Sequence, residues 1–503
     1  MVVSAHPMAS KTGAAVLKKG GNAVDAAVAT SMMLGVVEPA FSGIGGGGFA
    51  LLHTSSGENV AFDYRETAPL GSWADMFADG SDKNRIGPLA TATPGLLSGH
   101  AKLLEEYGTM KFADLARPAA EVAKSGISSQ SLSRKMLRDR ESGTYRKIRR
   151  FKTSSEVFLG RGRFPLLGRT IANLITKGPD EFYTGSIPEI VAGYLEEIGG
   201  VLSEEDFERY TPKKREPVTG EYRGFDLISM PPPSAGGTLL VYGLMLSEEL
   251  GEGRSSSRSE LLNVAAILRS MLAEKWRFGD PAFGGSPVSS LLSEETVQGV
   301  AQEIRFGDGS PGESAQAGRG STSHFSVVDR QGNAVAVTET IECYYGSGVT
   351  IPGLGVVMND EMHDFDVVPG GPNSVAPGKR PASSMAPTMV LKDGRPFLVI
   401  GGAGSERIIS SVFQTIRNVI EGGMSLKKAV AHPRIHFSGG RLEVEGETKK
   451  EALSGLRSRG FVPHIRTRGD SYFGGVHAIM IEPSSGKVMG APDPRRMGTA
   501  ASD

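Results

Sequence analysis

Apolar and polar side chains alternate along residues 321–340 in two runs, and this period of two predicts a pair of β-strands. Both runs are rich in β-branched and aromatic residues. Between them, residues 329–333 form a polar turn cluster that contains Gly332. The segment is therefore predicted to be a β-hairpin.

The loop length fixes the register of this hairpin. A five-residue loop brings together the apolar pairs Phe325 with Val337 and Val327 with Val335. The same register sets Thr322 opposite Thr340 on the other face, because side chains alternate between the two faces of a strand. Two hydroxyl groups are thus expected to meet at the open end of a hairpin whose back is buried.

Helical spacing of apolar residues dominates much of the rest of the chain. It predicts helices over residues 10–19, 22–37 and 166–200, helical structure over residues 94–126 with stops at Gly108 and Gly126, and a further helix from about Thr238. The basic stretch 134–152 is interpreted as a solvated helix face, because no aromatic residues are interleaved with its cations. The longest apolar run, residues 26–37, is too short to cross a bilayer.

Composition narrows the classes of partner. The chain has 503 residues, with 55 Lys and Arg against 56 Asp and Glu, so nothing indicates nucleic acid as a partner. Cys343 is the single cysteine, which excludes an internal disulfide. The first residues lack a basic stretch followed by an apolar one, so we expect a cytoplasmic protein with no membrane partner.

A flexible segment leads into the hairpin. Residues 306–321 are rich in Gly, Ser and Pro and have little to bury. If the chain were cut between Ser321 and Thr322, Thr322 would carry both a hydroxyl nucleophile and a free α-amine. The ordinary pKa of that amine, roughly 7.7–8.0, suits a general base. The alternative is an ordinary surface loop that enters an ordinary core strand.

Three other segments carry candidate chemistry. Arg65 follows a predicted strand and is either a clamp for a carboxylate or a solvated surface charge. Residues 359–366 are dense in acids, and a metal site, a pocket for an ammonium group and a solvated turn all stay open. Residues 399–409 read as a strand, a Gly-rich turn and a helix start, which presents N–H groups to an oxyanion.

Glycines at residues 42–49 formally match the dinucleotide fingerprint. They follow a predicted helix and open a predicted strand, which is the reverse of the order that the fingerprint requires. We therefore expect no nucleotide cofactor.

Several motifs resemble the γ-glutamyltranspeptidase family, whose members are N-terminal-nucleophile hydrolases. The match to the start of that family's small subunit runs through residues 322–329 and 332–337. Similar runs lie at residues 21–27, 42–49, 64–69, 231–234, 379–388, 399–409, 474–479 and 493–498. The resemblance implies a precursor that cleaves itself between Ser321 and Thr322, into a large subunit of residues 1–321 and a small subunit of residues 322–503.

The resemblance also assigns roles to single residues. It implies that Thr322 attacks a γ-glutamyl amide and that Thr340 orients or activates it. The oxyanion is assigned to the N–H groups of Gly404 and Ser405. The substrate α-carboxylate is assigned to Arg65, Ser383 and Ser384, and the α-amine to Glu342, Glu361 and Asp364. No cofactor and no metal are expected.

The sequence departs from the family at the site. Glu342 stands where the family usually has Asn, Ser405 where it has a second Gly, and Ser323 where it has a second Thr. A third acid in the amine pocket is expected to raise the pKa of one of the acids through like-charge repulsion. The segment between Asp364 and Ser383 has no room for the lid loop of some relatives, which favours hydrolysis over transfer.

The resulting expectation is an αββα four-layer sandwich in which both subunits form one intertwined domain. Its expected partners are glutathione and related γ-glutamyl amides, with water or an amine as acceptor; a homo-oligomer of the processed heterodimer stays open. One alternative is a glutaryl or cephalosporin-type acylase of the same fold. A second alternative is a binding protein that keeps the pocket and has lost the chemistry.

Overall fold

A computed structural model describes residues 1–126, 136–137, 143–160, 163–251, 257–306, 320–446 and 450–502. Most of the predicted linker, residues 307–319, lies outside the described residues. Arg134, Lys135, Arg138 and Arg140 of the basic stretch lie outside them as well. No helix in the described part of the chain is long and apolar enough to cross a membrane.

Sixteen strands are present among the described residues. They are β1 Val2–Ser4, β2 Gly47–His53, β3 Asn59–Tyr64, β4 Lys213–Arg215, β5 Val218–Tyr222, β6 Phe225–Ser229, β7 Gly320–Val328, β8 Ala334–Cys343, β9 Thr388–Lys392, β10 Arg395–Ala403, β11 Ile435–Ser438, β12 Arg441–Glu445, β13 Pro463–Arg466, β14 Gly475–Ile481, β15 Val488–Pro492 and β16 Thr499–Ala501.

The α-helices are described in chain order in the same way. They are α1 Pro7–Lys18, α2 Ala23–Val37, α3 Leu96–Tyr107, α4 Phe112–Ser125, α5 Thr144–Arg149, α6 Lys152–Phe158, α7 Pro165–Lys177, α8 Ile187–Glu197, α9 Glu204–Glu208, α10 Ala235–Leu250, α11 Ser257–Ala273, α12 Val288–Leu291, α13 Glu294–Phe306, α14 Arg407–Ile420, α15 Leu426–Ala431 and α16 Lys450–Ser458.

Two antiparallel sheets form the centre of the fold. One has seven strands in the order β16-β1-β7-β8-β2-β3-β4, and the other has six in the order β15-β14-β10-β9-β6-β5. Helices cover their outer faces, so the predicted αββα sandwich is confirmed. A three-stranded sheet, β11-β12-β13, was not predicted.

The predicted hairpin is confirmed in its register. Strands β7 and β8 pair Phe325 with Val337 and Val327 with Val335, and Thr322 lies opposite Thr340. All four apolar residues are buried in one core cluster with the helices that cover the seven-stranded sheet. The opposite face of the hairpin therefore points toward the six-stranded sheet, between the two layers.

Helix α2 lies in the middle of the helical layer behind the hairpin. Its N-terminus is capped by Asn22 with Asp25 in a reciprocal capping box, and every residue of the helix except Gly35 is buried. A helix that is apolar all round needs burial on all sides, which this position provides. Helices 10–19 and 22–37 were thus predicted at nearly their observed positions.

Three sequence predictions differ from the structure in detail. Helix α10 begins at Ala235 rather than near Thr238, because Ser234 caps it by accepting the N–H of Gly236. The predicted helix over residues 166–200 is divided into α7 and α8 by the 3-10 turn Pro179–Phe182, whereas the predicted stop at Gly108 is confirmed between α3 and α4. Residues 493–498, which resembled closing strands, form the loop between β15 and β16.

Candidate active site

Thr322 and Thr340 meet between the two sheets. Thr322 is 3% exposed near the start of β7. The hydroxyl of Thr340 donates a hydrogen bond of 2.5 Å to the carbonyl oxygen of Ser321, and it accepts the backbone N–H of Glu342 at 2.8 Å. The register of β7 against β8 shifts between Gly320 and Thr322, so Ser321 lies at an irregularity of the strand, and the donor lies on the carbonyl of the bond that we expect to be cut.

A hydroxyl donor on that carbonyl should assist self-cleavage. The substitution Thr340→Val nearly keeps the shape of the side chain but removes its hydroxyl donor. We expect self-cleavage to slow by roughly 10²-fold, which is the usual effect of removing one oxyanion donor. The measurement is an intact-mass time course on newly synthesised protein. Thr338→Val is the matched control, because Thr338 bonds His324 at 2.8 Å instead. Equal cleavage rates for the two variants would contradict this role.

His324 is a neutral spacer between the sheets rather than a base. Its two ring nitrogens contact Thr338 and Ser326, and Ser326 donates to the carbonyl oxygen of His477 at 3.0 Å. A Cβ on Gly401 would lie 2.3 Å from the imidazole ring, so β10 needs Gly there to approach β7. Burial lowers the pKa of His324 well below its ordinary value.

Arg65 is completely buried where β3 ends. Its guanidinium forms ion pairs with the carboxylates of Glu361 and Asp364, and it lies 3.7 Å from Oε2 of Glu66. It also donates to the carbonyl oxygen of Pro381 at 3.4 Å. The interpretation of Arg65 as a solvated surface charge is therefore wrong, and so is the solvated-turn interpretation of Glu361, which is 0% exposed.

Arg65 carries one positive charge, and more than one carboxyl group surrounds it. Burial raises the pKa of Glu361 well above its ordinary value, although Arg65 acts to lower it. Burial, followed by the charge of Glu342, raises the pKa of Asp364. Burial also raises the pKa of Glu66 to about 7. The cluster is consequently short of positive charge and suited to a ligand that brings a cation.

Glu342 completes the acidic cluster from the end of β8. Its Oε1 lies 3.4 Å from Nδ1 of His363. Burial acts to raise the pKa of Glu342, but His363, Arg65 and Lys275 outweigh it, so the pKa is lowered. Lys275 reaches this region from the turn Lys275–Arg277 and pairs with Oε1 of Glu406 at 2.6 Å.

One carboxylate oxygen from each of Glu342, Glu361 and Asp364 lies within 4.8 Å of the other two. Such a set of oxygens could hold a hard metal ion. The guanidinium of Arg65 already contacts two of these three acids. A divalent ion there would have to bind beside a buried cation, whereas an ammonium group with a carboxylate partner could share the cluster with Arg65.

The predicted serine pair lies next to Arg65. Nη2 of Arg65 donates to the carbonyl oxygen of Ala382 at 3.3 Å, immediately before Ser383 and Ser384. The hydroxyl of Ser383 accepts the N–H of Met385 at 3.2 Å, which leaves its own proton available for a ligand. Both serines are buried. The structure thus brings Arg65 and both serines to one place, although they are more than 300 positions apart in the chain.

The predicted strand, Gly-rich turn and helix start at residues 399–409 are present. Strand β10 ends at Ala403 and α14 begins at Arg407. Between them, Gly404 has φ 129° and Ser405 has φ 57°. A Cβ on Gly404 would lie 2.8 Å from the Cα of Gly474, so this turn requires Gly. Ser405 adopts the left-handed region that its side chain disfavours.

Substitution of Ser405 should separate its backbone role from its side chain. Ser405→Gly keeps φ near 57° without strain, and we expect turnover within about threefold of the parent. Ser405→Val should force the turn to change, because a β-branched residue is a strong outlier at positive φ. We expect this change to displace the N–H of residue 405 and so to lower kcat roughly 10²-fold. Steady-state kinetics on the two folded variants would measure this, and equal kcat values would exclude an oxyanion role.

Sequence analysis missed two contributors to this region and misplaced a third. His363 stood within the acidic run but carried no signal that it would face Glu342. Lys275 lies in a segment without any recognised motif. Lys147 of the basic stretch is buried rather than solvated, and its ammonium donates to the carbonyl oxygen of Gly346 at 2.5 Å.

Comparison with known proteins decides the family. A sequence profile described as Gamma-glutamyltranspeptidase matches residues 9–503. The chain belongs to the gamma-glutamyltranspeptidase family. The resemblance predicted from the sequence is confirmed, and with it the assignment of this chain as an enzyme.

Relatives of this gamma-glutamyltranspeptidase family member include two kinds of proenzyme. The glutathione hydrolase proenzyme of Bacillus subtilis (strain 168) is 35% identical over 543 residues, covering 99% of this chain and 91% of the relative. The acylase ACY 1 proenzyme of Pseudomonas sp. (strain SE83) is 33% identical, covering 99% and 92%. The crystal structure of cephalosporin acylase from Bacillus halodurans matches with a TM-score of 0.89 at 24% identity, covering 100% of this chain and 95% of that chain, and shows the shared fold.

Proposed function

We propose that this protein is a self-processing γ-glutamyl hydrolase and transferase that acts on glutathione and related γ-glutamyl amides. The observation that carries the proposal is the set of ion pairs that Arg65 forms with the buried Glu361 and the half-buried Asp364. A γ-glutamyl group ends in an α-amino acid with one carboxylate and one ammonium. It can exchange with these internal pairs, its carboxylate taking the guanidinium and its ammonium taking the acids.

A ligand with a carboxylate but no amine fits this cluster poorly. If it took Arg65, Glu361 would lose its cation while completely buried, and Asp364 would lose its cation while half-buried. Removing one partner of a buried ion pair typically costs about 3–5 kcal/mol. The cluster therefore favours γ-glutamyl groups over glutaryl groups.

The proposed enzyme forms by cleavage of the Ser321–Thr322 bond into subunits of residues 1–321 and 322–503. The hydroxyl oxygen of Thr322 adds to the carbonyl carbon of Ser321, which Thr340 polarises through a 2.5 Å hydrogen bond. The C–N bond between Ser321 and Thr322 then breaks, and the nitrogen of Thr322 leaves with the hydroxyl proton as a free amine. An ester between Ser321 and Thr322 results, and water hydrolyses it. Thr322 then carries the free α-amine that serves as its base. The names of the relatives, which are proenzymes, support this maturation.

In the cleaved enzyme, Thr322 is again the nucleophile, and its target is now the γ-glutamyl carbonyl. Oγ of Thr322 adds to the γ-glutamyl carbonyl while the α-amine of Thr322 takes its proton. The N–H groups of Gly404 and Ser405 stabilise the oxyanion. The tetrahedral intermediate collapses to a γ-glutamyl ester on Thr322 as the amine leaves with the proton. Water or an acceptor amine cleaves the ester and releases glutamate or a new γ-glutamyl compound, and the short segment between Asp364 and Ser383 favours water.

In this account the α-carboxylate lies against Arg65, Ser383 and Ser384. The α-amine lies against Glu342, Glu361 and Asp364. The proximity of the serine pair to the guanidinium of Arg65 supports the first assignment. The mutual proximity of the three carboxylates supports the second.

Two paired substrates test the proposal against its main alternative, an acylase for glutaryl or cephalosporin-type amides, which the acylase relative supports. We expect kcat/KM for γ-glutamyl-p-nitroanilide to exceed that for glutaryl-p-nitroanilide by at least about 100-fold. A preference for the glutaryl substrate would support the acylase. Tight binding of γ-glutamyl ligands without a burst of p-nitroaniline would instead support a silent binding protein.

A further inference from the structure

His363 faces the acidic cluster from its own turn. It lies in the 3-10 turn Glu361–Asp364, with its side chain 21% exposed and Nδ1 3.4 Å from Oε1 of Glu342. Arg65 forms its ion pairs with Glu361 and Asp364. The carboxylates of Glu342, Glu361 and Asp364 therefore lie beside two different cationic groups. Arg65 is permanently charged, whereas His363 titrates.

We propose that His363 sets the charge of the ammonium pocket formed by Glu342, Glu361 and Asp364, and through it the preference of the enzyme for acyl groups that carry an α-amine. This inference rests on the proposed function. A protonated His363 offsets the charge of Glu342 and weakens the attraction for an ammonium group. When His363 is neutral, the full negative charge of Glu342 attracts the ammonium group of the substrate.

The direction of the pH dependence follows from the charges around His363. Burial acts to lower the pKa of His363, but Glu342, Asp360 and Asp364 outweigh it and raise the pKa above its ordinary value of 6.5. The imidazolium therefore persists below that raised pKa and is lost as the pH rises through it. Selectivity for amine-bearing substrates is thus expected to rise with pH in this window.

Other charged groups also face the pocket and must be separated from His363. The permanent or strongly basic cations whose charges act on Glu342 from neighbouring elements are Arg65, Arg85, Lys275 and Arg407. The pKa values of Asp360, Glu361 and Asp364 are raised, so these acids also gain negative charge as the pH rises. Glu66 has a pKa of about 7 and would add a charge of the same sign in the same window. Only substitution of His363 itself separates its titration from the titration of the nearby acids.

The test compares two substrates across pH in three proteins. The ratio of kcat/KM for γ-glutamyl-p-nitroanilide to that for glutaryl-p-nitroanilide is measured from about pH 5.5 to 9 for the parent, His363→Gln and His363→Lys. The Thr322 amine acts on both substrates, so its titration largely cancels in the ratio. Titration of Glu66 and of the substrate amine remains in all three proteins, so the difference between them isolates His363. A thermal melt confirms that each variant is folded.

We expect the ratio for His363→Gln to exceed the parent ratio about tenfold at the acid end and to converge with it at the alkaline end. This is the effect of switching one unit charge about 6 Å away at an effective dielectric of about 40, between the values for a protein surface and for bulk water. His363→Lys, which keeps its charge, should converge with the parent at the acid end and stay low. Parallel profiles in all three proteins would overturn the role of His363 while leaving the proposed function intact. Failure to cleave the γ-glutamyl substrate at any pH would overturn the proposed function itself.

Discussion

Thr322→Ala is expected to leave the chain as a single uncut polypeptide without measurable γ-glutamyl hydrolysis. The reason is that the hydroxyl of Thr322 is the nucleophile in both reactions, first on the carbonyl of Ser321 and then on the carbonyl of the substrate. Loss of a catalytic nucleophile typically lowers kcat by roughly 10⁴–10⁶-fold. Intact mass and hydrolysis of γ-glutamyl-p-nitroanilide are the two measurements.

Thr322→Ser is the matched control for this variant. It keeps a hydroxyl and, after cleavage, an α-amine on the same residue, so both cleavage and turnover should persist at reduced rates. If Thr322→Ala were still cut at the same bond, another group would be the nucleophile and the central assignment would be wrong.

Arg65→Lys is expected to raise KM for γ-glutamyl substrates and to lower kcat/KM by roughly 10²–10³-fold. An ammonium group cannot reproduce the contacts of the planar guanidinium with two acids and with the substrate carboxylate at once. Because Glu361 and Asp364 are then incompletely paired inside the protein, the melting temperature should fall as well. Steady-state kinetics and a thermal melt measure the two effects.

Arg215→Lys separates the loss of binding from the loss of stability. Arg215 pairs with the buried Asp63 on an edge strand, and it is not part of the proposed substrate pocket. Its substitution should lower the melting temperature without raising KM. If Arg65→Lys likewise changed only the melting temperature, Arg65 would be a structural residue and the proposed carboxylate site would be wrong.

The hairpin was predictable because all of its information is local. Alternation fixed which residues share a face, and the five-residue loop fixed the register that pairs Thr322 with Thr340. The turn at Gly404 was predictable for the same reason, since a strand, a Gly-rich turn and a helix follow one another directly. Local patterns of this kind need no knowledge of the rest of the fold.

The charge pairing inside the pocket was not predictable from local patterns. Arg65 and Glu361 contact each other across nearly 300 positions of sequence, and only the stacking of elements brings them together. Family resemblance named both residues as substrate ligands but gave no indication that they pair with each other. Burial of Lys147 was missed because a run of cations looks solvated until another segment packs over it.

Two departures from the family coincide with unusual backbone. Glu342 has φ 69° and Ser405 has φ 57°, both in the left-handed region. The family's Asn and Gly at these positions are the residue types that adopt this region most readily. At both positions this chain thus carries a residue type that adopts this region less readily, and at Glu342 the carboxylate lies 3.4 Å from Nδ1 of His363.

The most direct test of the account is the mass of the N-terminal peptide of the small fragment after rapid quenching with a γ-glutamyl substrate. We expect two fragments, the smaller beginning at Thr322, and a γ-glutamyl ester on the hydroxyl of Thr322 during turnover. An uncut 503-residue chain, or a γ-glutamyl group attached to any other residue, would contradict it.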